Sequence, residues 1–277
     1  MRRPDPVNLA LQLVLVAGVL FMLAPLFFVV VNSFNASPLS RFPPESFSLR
    51  WYQTALSWPP FISGFRNSLI IASAAMVLAL LAGSTAAIAL VRYQFRFREL
   101  LRAFLVAPLL FPRVALALGA YILFLQVGQL LTMRAALLGT PTAIVLVHAL
   151  LGLPIVVLVV SAALVSVDPV LEEAAQDLGA GPLTTFRRIT LPLIRGGLIV
   201  GAVFAFIFSF DEVETTFFLA PISVKTLPVE MFIYLERELS PVVAALSTLL
   251  MAATFVIVIA LSGRLGVDRV VRSAERT

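Results

Sequence analysis

The chain has 277 residues, of which 60% are hydrophobic and 13% are charged, and its mean hydropathy is +1.03. A soluble domain of this length cannot hide so much apolar surface in its own core, so the composition predicts a protein embedded in a membrane. The absence of cysteine excludes disulfides and thiolate metal sites within the chain, and the single histidine, His148, argues against a histidine-rich metal site.

Six apolar runs are long enough to cross a membrane, since roughly 20 helical residues span a hydrocarbon core about 30 Å thick. They predict an all-α membrane protein in which one transmembrane domain, residues 1–277, forms a six-helix bundle. In chain order the runs are Asn8–Val31, Asn67–Val91, Ala103–Gln126, Pro141–Val167, Gly196–Leu219 and Pro241–Gly263. Arg2 and Arg3 precede the first run as they would in a signal peptide, but its apolar stretch exceeds the roughly 7–15 residues of a signal core. We therefore expect a retained anchor.

The basic residues divide unevenly between the two sides of this bundle. With the N-terminus in the cytoplasm, the inner segments hold 13 of the 20 Lys and Arg residues and the outer loops hold 6, while Arg113 lies inside a span. This excess follows the positive-inside rule and predicts that both termini are cytoplasmic. The net charge of +5 therefore reports orientation in the membrane and does not predict a nucleic-acid partner.

Prolines lie inside several of the predicted spans, at Pro25, Pro108, Pro112 and Pro154. Each removes a backbone hydrogen bond and predicts a kinked helix. Kinks suit a moving transport path but also occur in static spans, so both interpretations stay open. His148 lies in the fourth span, where a hydrogen bond between helices is favoured over a proton relay.

A long inner loop, residues 168–195, separates the fourth span from the fifth, and its local pattern predicts a helix, a break and a second helix. Asp168 is a good N-cap and Pro169 suits the first helical position, so a short helix of roughly 10 residues is expected outside the bilayer. Glycines that can adopt the left-handed conformation end this helix, and prolines begin and end the next one. In that order they are Gly179, Gly181, Pro182 and Pro192. Taken alone, the pattern also fits a solvated connector.

The same loop carries a spaced motif: Glu173-Ala174-Ala175, then Gly179 three residues on, then Ile189-x-Leu191-Pro192 after nine more. It resembles the signature loop of binding-protein-dependent ABC importer permeases. The resemblance implies a type I ABC importer permease fold, in which the loop forms a cytoplasmic coupling helix that docks in a groove on an ATPase subunit. The residues implied in this coupling are Glu172, Glu173, Ala174, Ala175, Asp177, Gly179, Ala180, Ile189, Leu191 and Pro192.

Three further segments resemble the spermidine/putrescine-type permeases and extend the resemblance over most of the chain. They are SFDEVETTFFL (Ser209–Leu219), TLPVEMF (Thr226–Phe232) and LSPVVAALSTLL (Leu239–Leu250). The resemblance implies a polyamine as the transported solute. One position departs from the pattern: such permeases often have an acidic or small residue after the proline that corresponds to Pro112, and this chain has Arg113.

Acidic residues lie in the outer part of the predicted fifth span, at Asp211, Glu212 and Glu214. If the helix continues to Leu219, Asp211 and Glu214 share a face and predict an electronegative stretch of a cation pathway, while Glu212 points elsewhere. The alternative is that the helix ends near Phe210 and the acids begin an external loop.

Arg113 is the other charged residue at membrane depth, where an unpaired charge is costly. We expect it to pair with one of the fifth-span acids, to face a companion subunit or a cavity, or to contact the substrate.

Other classes of transporter and enzyme find less support in the sequence. An ion-coupled secondary transporter should have inverted repeats, and none is evident. An intramembrane enzyme needs a catalytic constellation in the spans, and no Ser/His pair, metal triad or paired Asp motif is found there. Within the importer class, an opine, another amino-containing compound, thiamine or ferric iron remains an alternative to a polyamine.

The resemblance also implies a set of partners. The chain lacks a G-x-x-x-x-G-K-[ST] phosphate loop, so no cofactor is expected on it, and ATP and Mg²⁺ belong to two separate ATPase subunits. A second permease subunit supplies the other half of the pathway, and it is either an identical chain or, as in the polyamine type, a related but different one. An extracytoplasmic solute-binding protein delivers the solute. The lipid bilayer is that of the bacterial cytoplasmic (inner) membrane, which the chain crosses several times.

Overall fold

The computed structural model describes residues 6–38, 42–130, 137–220, 224–238 and 240–265, and its regular structure in these ranges is helical apart from an isolated antiparallel bridge between Asn35 and Phe47. A 3₁₀ turn (Ala107–Leu109) follows the fourth α-helix and a π turn (Phe186–Thr190) follows the eighth. The α-helices are α1 (Pro6–Ser33), α2 (Arg50–Ser57), α3 (Pro59–Arg92), α4 (Arg98–Val106), α5 (Arg113–Leu130), α6 (Pro141–Val165), α7 (Val170–Asp177), α8 (Pro182–Thr185), α9 (Leu191–Phe210), α10 (Glu214–Leu219), α11 (Leu227–Arg237) and α12 (Val242–Leu265).

Four of the described helices are long and apolar enough to cross a membrane: α1, α3, α6 and the continuous helix Pro182–Phe210, which runs from α8 through α9. They correspond to the first, second, fourth and fifth predicted spans. A fifth crossing results if α4 and α5, which are bent against each other, form one broken span. The predicted sixth span coincides with α12, whose described apolar stretch, Val242–Ile257, is shorter. A count of six crossings therefore stays a prediction.

The predicted third span, Ala103–Gln126, is broken, and the kink expected at its prolines is confirmed as a sharp bend. The segments Arg98–Leu109 and Arg113–Gln129 meet at an angle of 104°. The cause is the pair Pro108 and Pro112, which lack N–H donors and whose rings clash with the preceding turn. Pro25 and Pro154, in contrast, lie within helices that continue past them.

Both predicted ends of the fifth span are wrong. The helix ends at Phe210, where the N–H of Asp211 still bonds to the carbonyl of Ile207, and α10 follows as a separate short helix. At the other end, Pro192 does not stop a preceding helix, because the helix that begins at Pro182 continues through it. The π turn explains this continuity: it widens the helix just before Pro192, where the ring would otherwise clash with the preceding turn.

The chain packs as two compact units, Met1–Phe61 with Met231–Thr277, and Ile62–Glu230. In the first unit α12 packs against α1 and α2. Polar contacts fix α2 to the end of α1: the hydroxyls of Ser33 and Tyr52 lie 2.6 Å apart, and Trp51 Nε1 donates to the carbonyl of Asn35 at 2.6 Å.

The second unit is built around α6, which packs most extensively against α9 and also contacts α3. Glycines permit this close approach. A Cβ placed at Gly197 would lie 2.5 Å from the Cβ of Ala163, and one at Gly83 would lie 2.8 Å from the Cβ of Val156. Both distances are too short for any larger residue, so small side chains set the helix spacing here.

Candidate functional site

The inner loop begins with α7, which is eight residues long and so slightly shorter than the sequence predicts. As predicted, Asp168 caps its first turn, since the side-chain Oδ1 accepts a hydrogen bond from the N–H of Val170 at 3.0 Å. Glu172 and Glu173 lie in the same turn, where a negative charge interacts favourably with the positive end of the helix dipole.

A Schellman motif ends α7. Gly179 has a φ of +88°, the N–H of Ala180 donates to the carbonyl of Ala175 at 3.0 Å, and the N–H of Gly179 donates to the carbonyl of Gln176 at 2.8 Å. The left-handed conformation predicted for Gly179 is thus confirmed. The same prediction for Gly181 is wrong, because its backbone is extended at φ −69°, ψ 160°. A residue that precedes a proline is driven to extended backbone, and Pro182 follows here.

Glu172 turns towards the body of the protein and not towards solvent. Arg92 Nε lies 3.0 Å from Glu172 Oε2, and Arg92 Nη2 also donates to the carbonyl of Val167 at 3.2 Å. Thr190 Oγ1 donates to Glu172 Oε1 at 2.9 Å. The carboxylate therefore joins α7 to the last residue of α3 and to the π turn.

The remaining coupling residues divide by exposure. The exposed members are Glu173, Ala174, Asp177, Gly179 and Pro192. The first four, on α7 and just past its end, are here called the outward surface. The half-buried members are Glu172, Ala175, Ala180, Ile189 and Leu191. Next to the outward surface, apolar side chains are open to solvent in this chain: Leu178 is 90% exposed and Leu183 is 68% exposed.

A second set of polar side chains, here called the polar cluster, lies where α5, α6, α9 and α10 meet. Arg113 Nη1 lies 3.3 Å from Glu212 Oε2; the Glu212 side chain is fully buried and that of Arg113 is 46% exposed. Glu212 Oε1 also accepts the N–H of Thr215 at 3.1 Å, and the Arg113 guanidinium stacks over the ring of Phe208 at 4.6 Å. The prediction that Arg113 pairs with a fifth-span acid is confirmed.

His148 completes the polar cluster. Its Nδ1 lies 2.8 Å from Ser209 Oγ, and its Nε2 lies 3.0 Å from Thr216 Oγ1. Thr216 Oγ1 also donates to the carbonyl of Glu212 at 3.1 Å. The predicted hydrogen bond between helices is confirmed, since His148 on α6 binds Ser209 on α9.

Asp211 and Glu214 are both exposed, but not on one helix: Asp211 caps the end of α9 and Glu214 begins α10. The prediction of a shared helical face is wrong. The helix ends near Phe210, as in the alternative, but the acids do not begin an external loop, because Glu212 is buried and Glu214 begins α10. Within the described part of the chain, neither carboxylate has an ion-pair partner. No group of three or more His, Cys, Asp or Glu side chains among the described residues could hold a metal ion.

Known proteins resemble this chain in sequence. The family described as "Binding-protein-dependent transport system inner membrane component" matches residues 75–276. The spermidine/putrescine transport system permease protein PotC of Escherichia coli K12 is 31% identical over 242 residues, which cover 87% of this chain and 88% of PotC. The putrescine transport system permease protein PotI of the same strain is 33% identical over 245 residues, covering 88% of this chain and 86% of PotI.

The fold is also found in a solved structure. A chain of a bacterial ABC transporter involved in the import of the acidic polysaccharide alginate superposes with a TM-score of 0.69 at 15% identity, over 95% of this chain and 98% of that one. Together with the family match, this agreement in fold shows that the chain has the type I permease fold.

We predict that the Arg113–Glu212 pair is energetically coupled. Arg113→Ala leaves a buried carboxylate without its counter-ion and should lower stability by about 2 kcal/mol, less than for a fully buried pair because Arg113 is partly exposed. Glu212→Gln removes the charge, so the double variant should be more stable than Arg113→Ala alone. Thermal unfolding of the purified protein measures both effects.

Asp211→Asn serves as the control for this cycle, since it removes a neighbouring but exposed carboxylate. Strictly additive losses in the double variant would contradict the coupling.

Proposed function

The chain belongs to the family of binding-protein-dependent transport system inner membrane components, and from this membership we propose that it forms half of the pathway of an ATP-driven polyamine importer. It is a multi-pass permease of the inner membrane. A polyamine is proposed as the substrate because this chain is similar to two polyamine permeases over most of its own length and most of theirs.

The proposed assembly contains two ATPase subunits, a second permease subunit and an extracytoplasmic solute-binding protein. ATP and Mg²⁺ bind to the ATPase subunits, because this chain has no phosphate loop of its own. Both termini lie in the cytoplasm, as the excess of Lys and Arg in the inner segments favours. On that side of the membrane, the 168–195 loop reaches the ATPase.

We propose that α7 docks on the ATPase through its outward surface. Glu173 and Ala174 are exposed on α7, and Leu178 at its end is 90% exposed. Val170 and Leu171 on α7 are exposed as well, and a group of open apolar side chains on the water-facing side of a membrane protein suits a protein interface. Small Ala174 permits a close approach of the partner backbone.

The polar cluster supports a cation pathway next to it. Arg113 cancels the charge of Glu212, so the guanidinium, which departs from the polyamine pattern, adds no uncompensated positive charge. The carboxylates of Asp211 and Glu214 then remain exposed. Two such acids suit a substrate that carries two or more ammonium groups.

The first expected outcome is ATP-driven uptake. The chain, reconstituted in proteoliposomes with its ATPase, second permease and binding protein, should accumulate radiolabelled putrescine or spermidine only when ATP and the binding protein are present. An ion gradient applied to vesicles that contain this chain alone should drive none. Uptake by the chain alone would contradict the importer assignment, whereas ATP-driven uptake of another solute but no polyamine would contradict the substrate class alone.

The pathway acids give a second prediction. Asp211→Asn with Glu214→Gln should lower polyamine uptake by about tenfold, the effect of ~1.4 kcal/mol, while basal ATP hydrolysis persists. Glu99→Gln, which removes a surface carboxylate that is 73% exposed, is the control and should transport normally. Unchanged uptake in the double variant would remove both acids from the pathway.

A third prediction concerns the turn after α7. Gly179→Ala forces a side chain into a left-handed conformation at a cost of about 1–2 kcal/mol, so α7 should be misdirected, less ATPase should co-purify and uptake should fall. Gly181→Ala is the matched control, since its φ is −69° and a Cβ there meets nothing within 4 Å. Equal behaviour of the two variants would contradict the role of the turn.

A further inference from the structure

Four segments meet around the ion pair of Glu172 and Arg92. Arg92, the last residue of α3, binds the carboxylate through Nε and Nη2. The same guanidinium holds the carbonyl of Val167, just past the end of α6. Thr190, in the π turn that leads into α9, donates to the other side of the carboxylate. One side chain of α7 is thereby tied to α3, α6 and α9.

This junction is shielded from solvent. The side chains of Arg92 and Glu172 are 14% and 16% exposed, and Thr190 is 5% exposed. The pair Glu99–Arg102 on α4 has a similar distance, 3.2 Å, but its side chains are 73% and 45% exposed. Ion pairs that are withdrawn from water are screened less and hold their partners more firmly than surface pairs do.

Neighbouring glutamates of α7 point in different directions. Glu172 faces the junction, whereas Glu173 is exposed, as expected for consecutive helical residues, which lie about 100° apart. Glu172 is thus occupied within the permease and is not free to bind an ATPase.

We infer that Glu172 is a positioning residue that fastens α7 to the ends of α3, α6 and α9, so that the helix moves with them as one body. The inference rests on the proposed function, in which α7 receives motion from the ATPase. The link between α6 and α7 is the short segment 166–169, about which an unfastened α7 could pivot. With the junction intact, a displacement of α7 reaches three membrane helices at once.

The test compares transport with ATP hydrolysis in the full reconstituted complex. Glu172→Ala removes the bonds from α7 to Arg92 and to Thr190, and should lower the number of polyamines imported per ATP by about fivefold or more, the range of a typical coupling between sites. Glu172→Gln keeps an acceptor for Thr190 but loses the ion pair, and should give an intermediate loss. ATP hydrolysis itself should stay within about twofold of the unchanged protein.

Glu99→Ala is the matched control, because it breaks the exposed ion pair of the same chain. It should leave the ratio of import to hydrolysis unchanged.

A distance measurement separates positioning from a general loss of stability. The chain has no cysteine, so cysteines introduced at the exposed Thr85 on α3 and Gln176 on α7 are the only spin-labelling sites on it. Pulsed electron resonance should give a broader distance distribution in Glu172→Ala than in Glu99→Ala.

The outcomes are distinguishable. An unchanged import-to-hydrolysis ratio and an unchanged distance distribution in Glu172→Ala overturn the inference; if that variant does not assemble, the same two results in Glu172→Gln overturn it. Absence of ATP-driven uptake in the unsubstituted complex contradicts the proposed function instead.

Discussion

A hydrocarbon environment offers no hydrogen bonds, so each polar group at membrane depth has to be satisfied by the protein itself. The polar cluster follows from this constraint. Glu212, which is fully buried, has both carboxylate oxygens bound, one by Arg113 and one by the N–H of Thr215. His148 has both ring nitrogens bound by hydroxyls. These bonds in turn fix how α5, α6, α9 and α10 meet.

The same constraint explains where the backbone can be irregular. One break separates α4 from α5 and another separates α9 from α10, and both would expose unpaired backbone groups to lipid. The Arg113–Glu212 pair links the two breaks, since Arg113 is the first residue of α5 and Glu212 lies between α9 and α10. Irregular segments at membrane depth are tolerated where they pack on protein or border a cavity, and in transporters such breaks accompany solute sites.

The sequence predicts those features that depend on local chemistry. Apolar length locates α1, α3 and α6, and the cap at Asp168 and the turn at Gly179 follow from residue type. The end of α9 near Phe210 could be given only as one of two alternatives, because acidic residues follow it but no glycine or proline marks the stop. Pro192 suggests that the preceding helix ends before it, but the helix continues, because the π turn makes room for the proline ring.

Long-range pairings escape prediction for a different reason. Arg92 and Glu172 are 80 positions apart in the chain, and nothing in the local pattern distinguishes the inward glutamate from its outward neighbour. For Arg113, the sequence leaves a companion subunit, a cavity and the substrate open beside the fifth-span acids, and the choice of Glu212 depends on the break after Phe210, which turns that side chain inward.

α9 physically connects the two sites. At its start, Thr190 in the π turn binds Glu172 of α7; near its end, Ser209 binds His148 and Phe208 lies under the Arg113 guanidinium. Twenty helical residues separate these ends by about 30 Å, roughly the thickness of the hydrocarbon core. A helix resists compression along its axis, so an axial displacement at the 168–195 loop cannot be absorbed within α9. It has to appear at the polar cluster, beside the exposed carboxylate of Asp211.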